Sequence, residues 1–505
     1  MLRRQFLGSS LGSLAALGWS KQLWSLSNFI GEPFSLGIAS GDVSQSSVIL
    51  WTRIAPEPEQ ADGGLGGLSV LVRWELAADP RMKIVLQRGE QLAVPELGHS
   101  IHVDLQRLEE GRDYWYRFYC NGQASEVGHT RTLIGEAAKS VRFVTTSCQN
   151  YTHGYFGAYH QMVQDSPDFV IHLGDYIYDT SFGESFRRHE SESAPRSIDD
   201  FRRRHALYKT DPHLQQAHAQ LPFFTIIDNH DAIEDNDPNL YQVRSAAYKA
   251  WYEHMPVRGY DPIRPNSFDL RRRLQVGRLA QICLLDTRQF RDKKELCRDD
   301  MESSVGFGNY RERCNEIFES ARSMLGEDQE AWLFDALEQN TTAWNVVASS
   351  GPLVPFRVYA NQTELGYIGA WDAYPANRNR LAQSLGRAKQ GHPIILSGDV
   401  HSFWVMDGEK VLDSYDQVPA VEFVSSSISA NWPDALGKPI KENLKKNPQV
   451  LFYEGNERGY LLHDIDTEFW KTRFRAVGDA RASDTVARDL RVYRVRHGHP
   501  GVEVI

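Results

Sequence analysis

Cysteine and net positive charge are both scarce in this chain of 505 residues. Five cysteines are too few for a disulfide-rich scaffold, and a formal net charge of −10 argues against a surface for nucleic acid or anionic membranes. The sequence also lacks internal repeats and any apolar run long enough for a stable transmembrane helix. What remains is an ordinary globular composition and a length that predicts two domains.

The N-terminus carries the features of an export signal. Arg3 and Arg4 precede a mild apolar stretch from Leu7 to Trp19, which is the form of a twin-arginine signal. We therefore predict a signal and linker over residues 1–32, without an obvious cleavage site. The protein is expected to use the twin-arginine export machinery and to be periplasmic or secreted.

The few cysteines fit an exported protein. Cys297 and Cys314 flank a polar loop and are the natural disulfide pair in an oxidising compartment, with two free thiols as the alternative. Cys283 lies inside an apolar run and is predicted to be buried, and Cys120 is given no role.

Residues 33–135 show short alternating runs separated by turn residues, at the spacing of a β-sandwich. The stretch from Leu105 to Tyr116, which includes Tyr114, resembles the tyrosine-corner region of fibronectin type III domains. A packing role is expected for these tyrosines, and this domain shows no catalytic chemistry.

Residues 138–505 alternate strand-like and helical runs, which predicts an α/β layered domain. The helical candidates are 155–165, 197–209 and 328–340, and further strands are expected at 278–286, 343–350 and 420–427. The stretch 181–206 is dense in charged residues. It is interpreted as a solvated loop and helix face, with a substrate-facing flap as the alternative.

Four apolar runs of strand length each end at a polar cluster. The segments are 141–150, 169–179, 223–231 and 393–404, and the clusters are Cys148; Asp175 with Tyr178; Asn229 with His230; and Asp399 with His401. Taken alone, each motif is equally consistent with a capped turn or a hydrogen-bonded loop. The C-terminal ends of several buried strands meet in one crevice of an open α/β sheet, so the ordered set predicts a two-metal hydrolase.

The residue types suggest two different metal sites. Asp175 follows Gly174, which permits a sharp turn, and is the candidate bridging carboxylate. A Tyr178 phenolate and a Cys148 thiolate suit a highly charged ion such as Fe(III), and His401 completes that site.

The second site is predicted to be rich in oxygen. Its candidate ligands are Asp175 again, the Asn229 amide, Asp399, and a side chain from Asp235 or Asn236. Such ligands suit Ca²⁺, Mg²⁺ or Mn²⁺. His230 would then point at the substrate as hydrogen-bond donor or general acid. A catalytic thiol at Cys148 is the competing interpretation, ranked lower because a free thiolate is at risk of oxidation.

With these motifs, the chain resembles the PhoD-type alkaline phosphatases and phosphodiesterases, a branch of the calcineurin-like metallophosphoesterases related to purple acid phosphatases. The resemblance covers nearly everything after the signal. Besides the four motifs, it rests on the segments 200–222, 284–291, 325–333, 371–381 and 422–430. It implies a metallophosphoesterase-type α/β/β/α sandwich after the β-sandwich.

The resemblance also implies ligand roles and an activity. Cys148, Asp175, Tyr178 and His401 match Fe(III) ligands, while Asp175, Asn229 and Asp399 match positions near a second ion, Ca²⁺ in the family, with Mg, Mn or Zn as other options. The implied reaction is hydrolysis of phosphate mono- or diesters by a metal-bound hydroxide. One alternative is an enzyme specialised for a bulky diester, similar to a phospholipase D, and another is an exported surface-binding protein with a vestigial metal site.

Several conspicuous residues near these motifs are given structural roles. Arg288 and Arg378 have the chemistry to hold phosphate, but structural ion pairs are the preferred interpretation. His172, Trp371 and Trp404 are expected to pack in the interior.

Overall fold

The computed structural model describes residues 29–232, 240–261, 268–292, 309–360 and 362–505. Most of the predicted signal, Asp235, Asn236 and Cys297 lie outside these residues.

The described elements alternate along the chain much as predicted. The strands are β1 (Ile38–Gly41), β2 (Ser47–Arg53), β3 (Val70–Ala77), β4 (Val85–Ala93), β5 (Ser100–Gln106), β6 (Asp113–Cys120), β7 (Gln123–Ala124), β8 (Gly128–Arg131), β9 (Ser140–Thr146), β10 (Phe169–His172), β11 (Pro222–Thr225), β12 (Arg272–Val276), β13 (Ala280–Leu284), β14 (Tyr310–Glu312), β15 (Trp344–Ala348), β16 (Val358–Ala360), β17 (Thr363–Tyr367), β18 (His392–Ser397), β19 (Phe403–Asp407), β20 (Val421–Val424), β21 (Val450–Glu454), β22 (Gly459–Asp466), β23 (Phe469–Ala476), β24 (Arg488–Arg496) and β25 (Glu503–Val504). The helices are α1 (Gly157–Asp165), α2 (Ile198–Lys209), α3 (Pro212–Gln220), α4 (Tyr241–His254), α5 (Glu327–Glu338), α6 (Pro375–Arg387) and α7 (Asp434–Asn443).

Two large sheets form the centre of the molecule. One has the strand order β25-β24-β23-β22-β9-β10-β11-β1-β2-β5, and the other has the order β12-β13-β15-β18-β20-β19-β21. Strands β9, β10 and β11 are parallel neighbours in the first sheet, and β13, β15, β18 and β20 are parallel neighbours in the second. Parallel strands are buried on both faces, which explains their continuous apolar sequences.

Alternate residues of these strands enter different cores. Phe143 of β9 and Ile394 of β18 belong to the core between the two sheets. Val144 packs instead with residues of helices α1 to α4, and Ile395 packs with residues of α5 and α6. Because side chains alternate across a strand, one sequence serves both layers. The predicted α/β/β/α sandwich is confirmed.

The N-terminal region is rich in β-strands but is divided between two sheets. Strands β3, β4, β6, β7 and β8 form a sheet of their own. Strands β1, β2 and β5 instead extend the larger sheet, because β1 pairs in parallel with β11 at Ser40–Pro222 and Gly41–Phe223. Backbone pairing thus joins this region to the predicted catalytic domain, and a domain boundary near residue 135 stays a prediction.

The predicted tyrosine corner has the expected packing role. Tyr114 is buried, and its hydroxyl accepts a hydrogen bond of 2.8 Å from the backbone N–H of Glu109. This bond ties β6 to the turn before it, as in the tyrosine corners of β-sandwich domains.

The charged stretch 181–206 differs in part from the prediction. Helix α2 begins after Ser197, which forms a capping box with Asp200, as expected of a helix start. The predicted solvated helix face is wrong for Arg204, which is fully buried, donates to the backbone oxygen of Asp179 and pairs with Glu190. Charge along a sequence does not reveal which arginines find partners in the interior.

The cysteines largely follow the prediction. Cys314 is disulfide-bonded, whereas Cys120, Cys148 and Cys283 are free and buried. Within the described ranges, no helix combines the length and apolar character needed to cross a membrane.

Candidate metal centre

The four predicted strand ends converge at one edge of the two sheets. Three of them follow β9, β10 and β11, which lie side by side, and the fourth follows β18 in the other sheet. An isolated bridge between Ser147 and Ser427 joins the sheets there. The crevice beyond the carboxyl ends of these strands therefore collects side chains that are far apart in the sequence.

The first group of donors contains all four residues predicted to bind Fe(III). The Tyr178 hydroxyl lies 2.8 Å from Nε2 of His401 and 3.3 Å from Oδ2 of Asp175. The sulfur of Cys148 lies 3.6 Å from the same Asp175 oxygen. One ligand atom each of Cys148, Asp175 and His401 lies within 4.8 Å of the others. The backbone oxygen of Asn431 orients the imidazole, because it lies 2.8 Å from Nδ1 of His401.

The backbone at this site is held in an unusual conformation. Cys148, Asp175, Asp399 and His401 have φ angles of 59°, 54°, 69° and 43°, in the left-handed region that residues other than glycine rarely adopt. Such conformations cost of order 1–3 kcal/mol each and concentrate at functional sites. Gly174 has a φ of 105°, and a Cβ there would lie 2.5 Å from Cβ of Asp228. The glycine therefore permits both the turn and the close approach of the two loops.

A second group of donors shares Asp175 with the first. Asp175, Asp228 and Asp399 each place a carboxylate oxygen within 4.8 Å of the others. Asp228 was not singled out from the sequence. Its neighbour Asn229, the predicted ligand, has its Oδ1 atom 3.4 Å from Nη2 of Arg288. The role of Asn229 as a ligand stays a prediction.

The electrostatics of both groups fit bound cations. Burial raises the pKa of Asp175 and of Asp399 to about 8; Asp228 adds to the shift at both, whereas His230 opposes it at Asp175. Burial and the nearby Asp175 raise the pKa of the Cys148 thiol, and burial also raises the pKa of the Tyr178 phenol. One buried oxygen of Asp228 has no hydrogen-bond partner in the described part of the chain. Buried acidic groups this close together, with Arg288 and His230 as the nearby cations, are an arrangement expected of a metal site.

His230 lies beside the shared carboxylate and is oriented by a residue that sequence reasoning missed. Its backbone N–H donates to Oδ1 of Asp175 at 3.0 Å, and its Nδ1 lies 2.6 Å from Oδ1 of Asp179. The ring stacks on Tyr178 with centroids 4.3 Å apart. Although burial opposes the charge, Asp175 and the hydrogen bond to Asp179 raise the pKa of His230 to about 9. An imidazolium held through Nδ1 carries its second N–H at Nε2, which is the proton a general acid would give.

Two further residues support these loops, although no pattern in the sequence identifies them. Asp231 accepts hydrogen bonds from the backbone N–H groups of Tyr176, Ile177 and Asp228, at 2.8, 3.0 and 2.9 Å. The Tyr367 hydroxyl donates to Oδ2 of Asp399 at 2.9 Å.

The structural roles assigned to the neighbouring residues are confirmed. Arg378 pairs with Asp372 and Asp416, and His172, Trp371 and Trp404 are buried. Arg288 also forms an ion pair, but its partner is Asp228, so this pair is part of the site.

Most of residues 183–193 are exposed, as predicted for a solvated loop, but Phe182 at the start of this loop faces the site, which keeps the flap interpretation as the alternative. The ring of Phe182 stacks against His401 and His230, with centroid distances of 6.1 and 6.4 Å. The rings of Phe182 and Trp432 each lie 6.1 Å from that of His401, and both residues line a neighbouring cavity of about 770 Å³ that the proposed ligands themselves do not line.

Comparisons with known proteins agree with this geometry. The family profile of the PhoD-like phosphatases matches residues 143–474, and that of the PhoD-like phosphatase N-terminal domain matches residues 20–134. The chain is 34% identical to alkaline phosphatase D of Bacillus subtilis (strain 168) over 474 residues, covering 89% of this chain and 78% of the relative.

Solved structures give the same result. A structure of PhoD superposes with a TM-score of 0.85 and 32% identity, covering 95% of this chain and 93% of that one. A purple acid phosphatase from yellow lupin seeds shares the fold, with a TM-score of 0.53, 12% identity and coverage of 91% and 73%. The chain therefore belongs to the PhoD-like phosphatase family and is a phosphoric ester hydrolase.

Proposed function

We propose that this protein is an exported, metal-dependent phosphoesterase that hydrolyses phosphate monoesters, diesters or both at a centre of Fe(III) and a divalent cation, with Ca²⁺ proposed for the second ion. The observation that carries the proposal is the convergence of Cys148, Asp175, Tyr178 and His401 around one point, with Tyr178 and His401 2.8 Å apart. Zinc sites are usually built from Cys, His and carboxylate without Tyr, so a Tyr178 phenolate beside the Cys148 thiolate favours a highly charged iron.

The two donor groups would divide the ions between them. Cys148, Asp175, Tyr178 and His401 would hold Fe(III), and Asp175, Asp399 and either Asn229 or Asp228 would hold the divalent ion. When bound, the two ions supply Lewis acidity, activate a water molecule and neutralise charge on the phosphoryl oxygens. The carboxylate of Asp175 belongs to both groups and would fix the distance between the ions.

The chain itself supplies the proton donor. Asp179 holds Nδ1 of His230, which leaves Nε2 to meet the oxygen of the leaving alcohol. A proton given there prevents an alkoxide from leaving as a free anion. His230 is therefore proposed as a catalytic residue, and Asp179 as the residue that orients it.

The cavity beside His401 favours a diester with a bulky alcohol as a second candidate. Its volume of about 770 Å³ is within the range of ligand pockets, and a small monoester would not need it. Phe182 and Trp432 would provide apolar faces for the alcohol. An exported surface-binding protein without catalysis is not favoured by any feature of the site.

Elemental analysis, a visible spectrum and two substrates test the proposal together. We expect iron, a charge-transfer band, and hydrolysis of p-nitrophenyl phosphate or its bis ester that is lost after chelation and restored by iron plus calcium. Faster cleavage of the bis ester would favour the bulky diester. An active preparation that is colourless and free of iron would contradict the ligand assignment. For export, replacing Arg3 and Arg4 by lysine should retain the protein in the cytoplasm.

A further inference from the structure

Arg458 lies behind the proposed iron ligands and connects three separate loops. Its side chain is buried, and its Nη1 donates to the backbone oxygens of His401 and Ala430 at 2.6 and 2.8 Å and to Oγ of Ser427 at 2.9 Å. Its Nη2 donates to the backbone oxygen of Gly455. The four acceptors belong to the loops after β18, β20 and β21.

Two of these loops carry or support the iron-side donors. The loop after β18 contains His401 itself. In the loop after β20, the N–H of Ala430 donates to the backbone oxygen of Cys148 at 3.2 Å, and the next residue, Asn431, orients the His401 imidazole. A single guanidinium therefore fixes the backbone of His401 relative to the backbone that holds Cys148.

The charge of Arg458 is not balanced by an ion pair with any described carboxylate. Its hydrogen bonds go to neutral oxygens, and the nearby Glu457 pairs instead with Arg488. A buried charge is stable only when an opposite charge or a dense set of dipoles compensates it. The carboxylates of Glu454 and Glu457 attract the guanidinium from beyond ion-pair distance.

We propose that Arg458 is a positioning residue of the metal centre, which holds the His401 loop in register with the loop that supports Cys148. This inference rests on the proposed function, because it presupposes that Cys148 and His401 are iron ligands.

Comparing arginine with lysine tests whether the span of the guanidinium is what holds the loops together. Arginine presents a planar fork that reaches several acceptors at once, whereas lysine carries the same charge on one nitrogen. Arg458→Lys would keep the charge and lose the span, and Arg458→Met would lose both. Arg488→Met is the matched control, because Arg488 is a more exposed arginine whose partner is a neighbour of Arg458.

The experiment measures the rate of iron loss to a chelator and the position of the visible band in the full chain. We expect Arg458→Met to lose iron about 10- to 100-fold faster than the parent, the usual cost of removing a group that supports a metal ligand. Its visible band should also shift, because His401 and Cys148 would no longer be held in fixed relative positions. Arg458→Lys should also lose iron faster and shift the band, because one ammonium nitrogen cannot reach all four acceptors, and Arg488→Met should match the parent in both.

Parental iron loss and an unchanged band in a folded Arg458→Met protein would overturn the inference. If that variant does not fold, Arg458→Lys serves as the test, because it keeps the charge and loses only the fork. We then expect faster iron loss from folded Arg458→Lys protein, and parental iron loss in this variant would overturn the inference. A parent that binds no iron would contradict the proposed function instead, so the two failures are distinguishable.

Discussion

The phenolic oxygen of Tyr178 lies 2.8 Å from Nε2 of His401, although the two residues are 223 positions apart. The Tyr178 ring is buried among aromatic rings, and the backbone oxygen of Asn431 orients the other nitrogen of His401. The two atoms also lie beside the same carboxylate, Asp175. The shared metal ion proposed above would explain why all three donors meet.

Tyr178→Phe tests this explanation directly. The ring remains and should keep its packing, while the phenolate is lost. We expect the visible band to vanish or shift strongly and iron to dissociate faster by at least the roughly 10- to 100-fold that loss of a supporting group costs.

Tyr114→Phe is the control for Tyr178→Phe, because Tyr114 is also buried with its hydroxyl hydrogen-bonded. It should cost about 1 kcal/mol of stability and leave the spectrum unchanged. A coloured, iron-retaining Tyr178→Phe protein would remove the phenolate from the ligand set.

Asp179→Asn tests the orientation of His230. The Nδ1 hydrogen bond of 2.6 Å would weaken, and the imidazole would no longer favour its charged form. We expect kcat to fall about 100-fold for alkyl phosphates with poor leaving groups, which need the proton, and much less for p-nitrophenyl phosphate. Steady-state kinetics with both substrate types, together with metal content, provides the measurement.

The matched control is Asp113→Asn, because Asp113 also pairs with a histidine, His129, at 3.0 Å but lies in the small sheet. This variant should leave both activities unchanged. Equal losses on good and poor leaving groups in Asp179→Asn would assign Asp179 a purely structural role.

Much of the site could be predicted from the sequence because it depends only on which residues directly follow each apolar strand. Each donor follows an apolar strand, as at β10 with Asp175 and at β18 with His401, and parallel strands present their carboxyl ends at one edge. The layers were predictable for the same reason, since parallel strands buried on both faces have continuous apolar sequences.

What the sequence did not predict depends on loop conformation and on distant pairing. Asp228 and Asn229 are adjacent oxygen donors, and only the fold of that loop places Asp228 beside Asp175 and Asp399. Arg458 and Asp179 act through bonds to other loops, for which no spacing rule exists. The pairing of β1 with β11 is equally non-local, so the division of the N-terminal strands between two sheets was not anticipated.

Without bound metal ions, the protein should become less stable as the pH rises. In the chelated protein, the pKa of Asp399 is raised to about 8, whereas an unfolded aspartate has a pKa of about 3.9. The folded state then binds the proton more tightly, so stability is full below about pH 4 and is lost as the pH rises through about 8.

Other groups also titrate in this pH range. The quantity to measure is therefore the difference in the free energy of unfolding between the chelated parent and chelated Asp399→Asn. The variant should gain stability relative to the parent between pH 5 and 8, by more than the roughly 1.4 kcal/mol that one pKa unit represents. The metal-loaded parent should show no such loss. A difference that stays constant with pH would mean that the carboxylates are not crowded as described.

Replacing Arg378 by leucine tests whether this arginine stabilises the fold or binds phosphate. Its guanidinium is buried and pairs with Asp372 and Asp416, which also pair with Arg357. Although burial opposes it, the arginines hold the pKa of Asp372 below its usual value. Arg378→Leu leaves part of this charge uncompensated in the interior, and we expect a loss of about 3–5 kcal/mol in the free energy of unfolding.

Arg387→Leu is the control on the same helix, α6, because Arg387 is exposed and pairs with Glu338 at the surface. A surface pair contributes about 1 kcal/mol or less, so this variant should unfold near the parental midpoint. The folded fraction of Arg378→Leu should keep the parental KM for p-nitrophenyl phosphate, because the ion pairs account for both ends of its guanidinium. A raised KM with unchanged stability would instead assign Arg378 to the substrate, since a phosphate-binding arginine loses affinity without weakening the core.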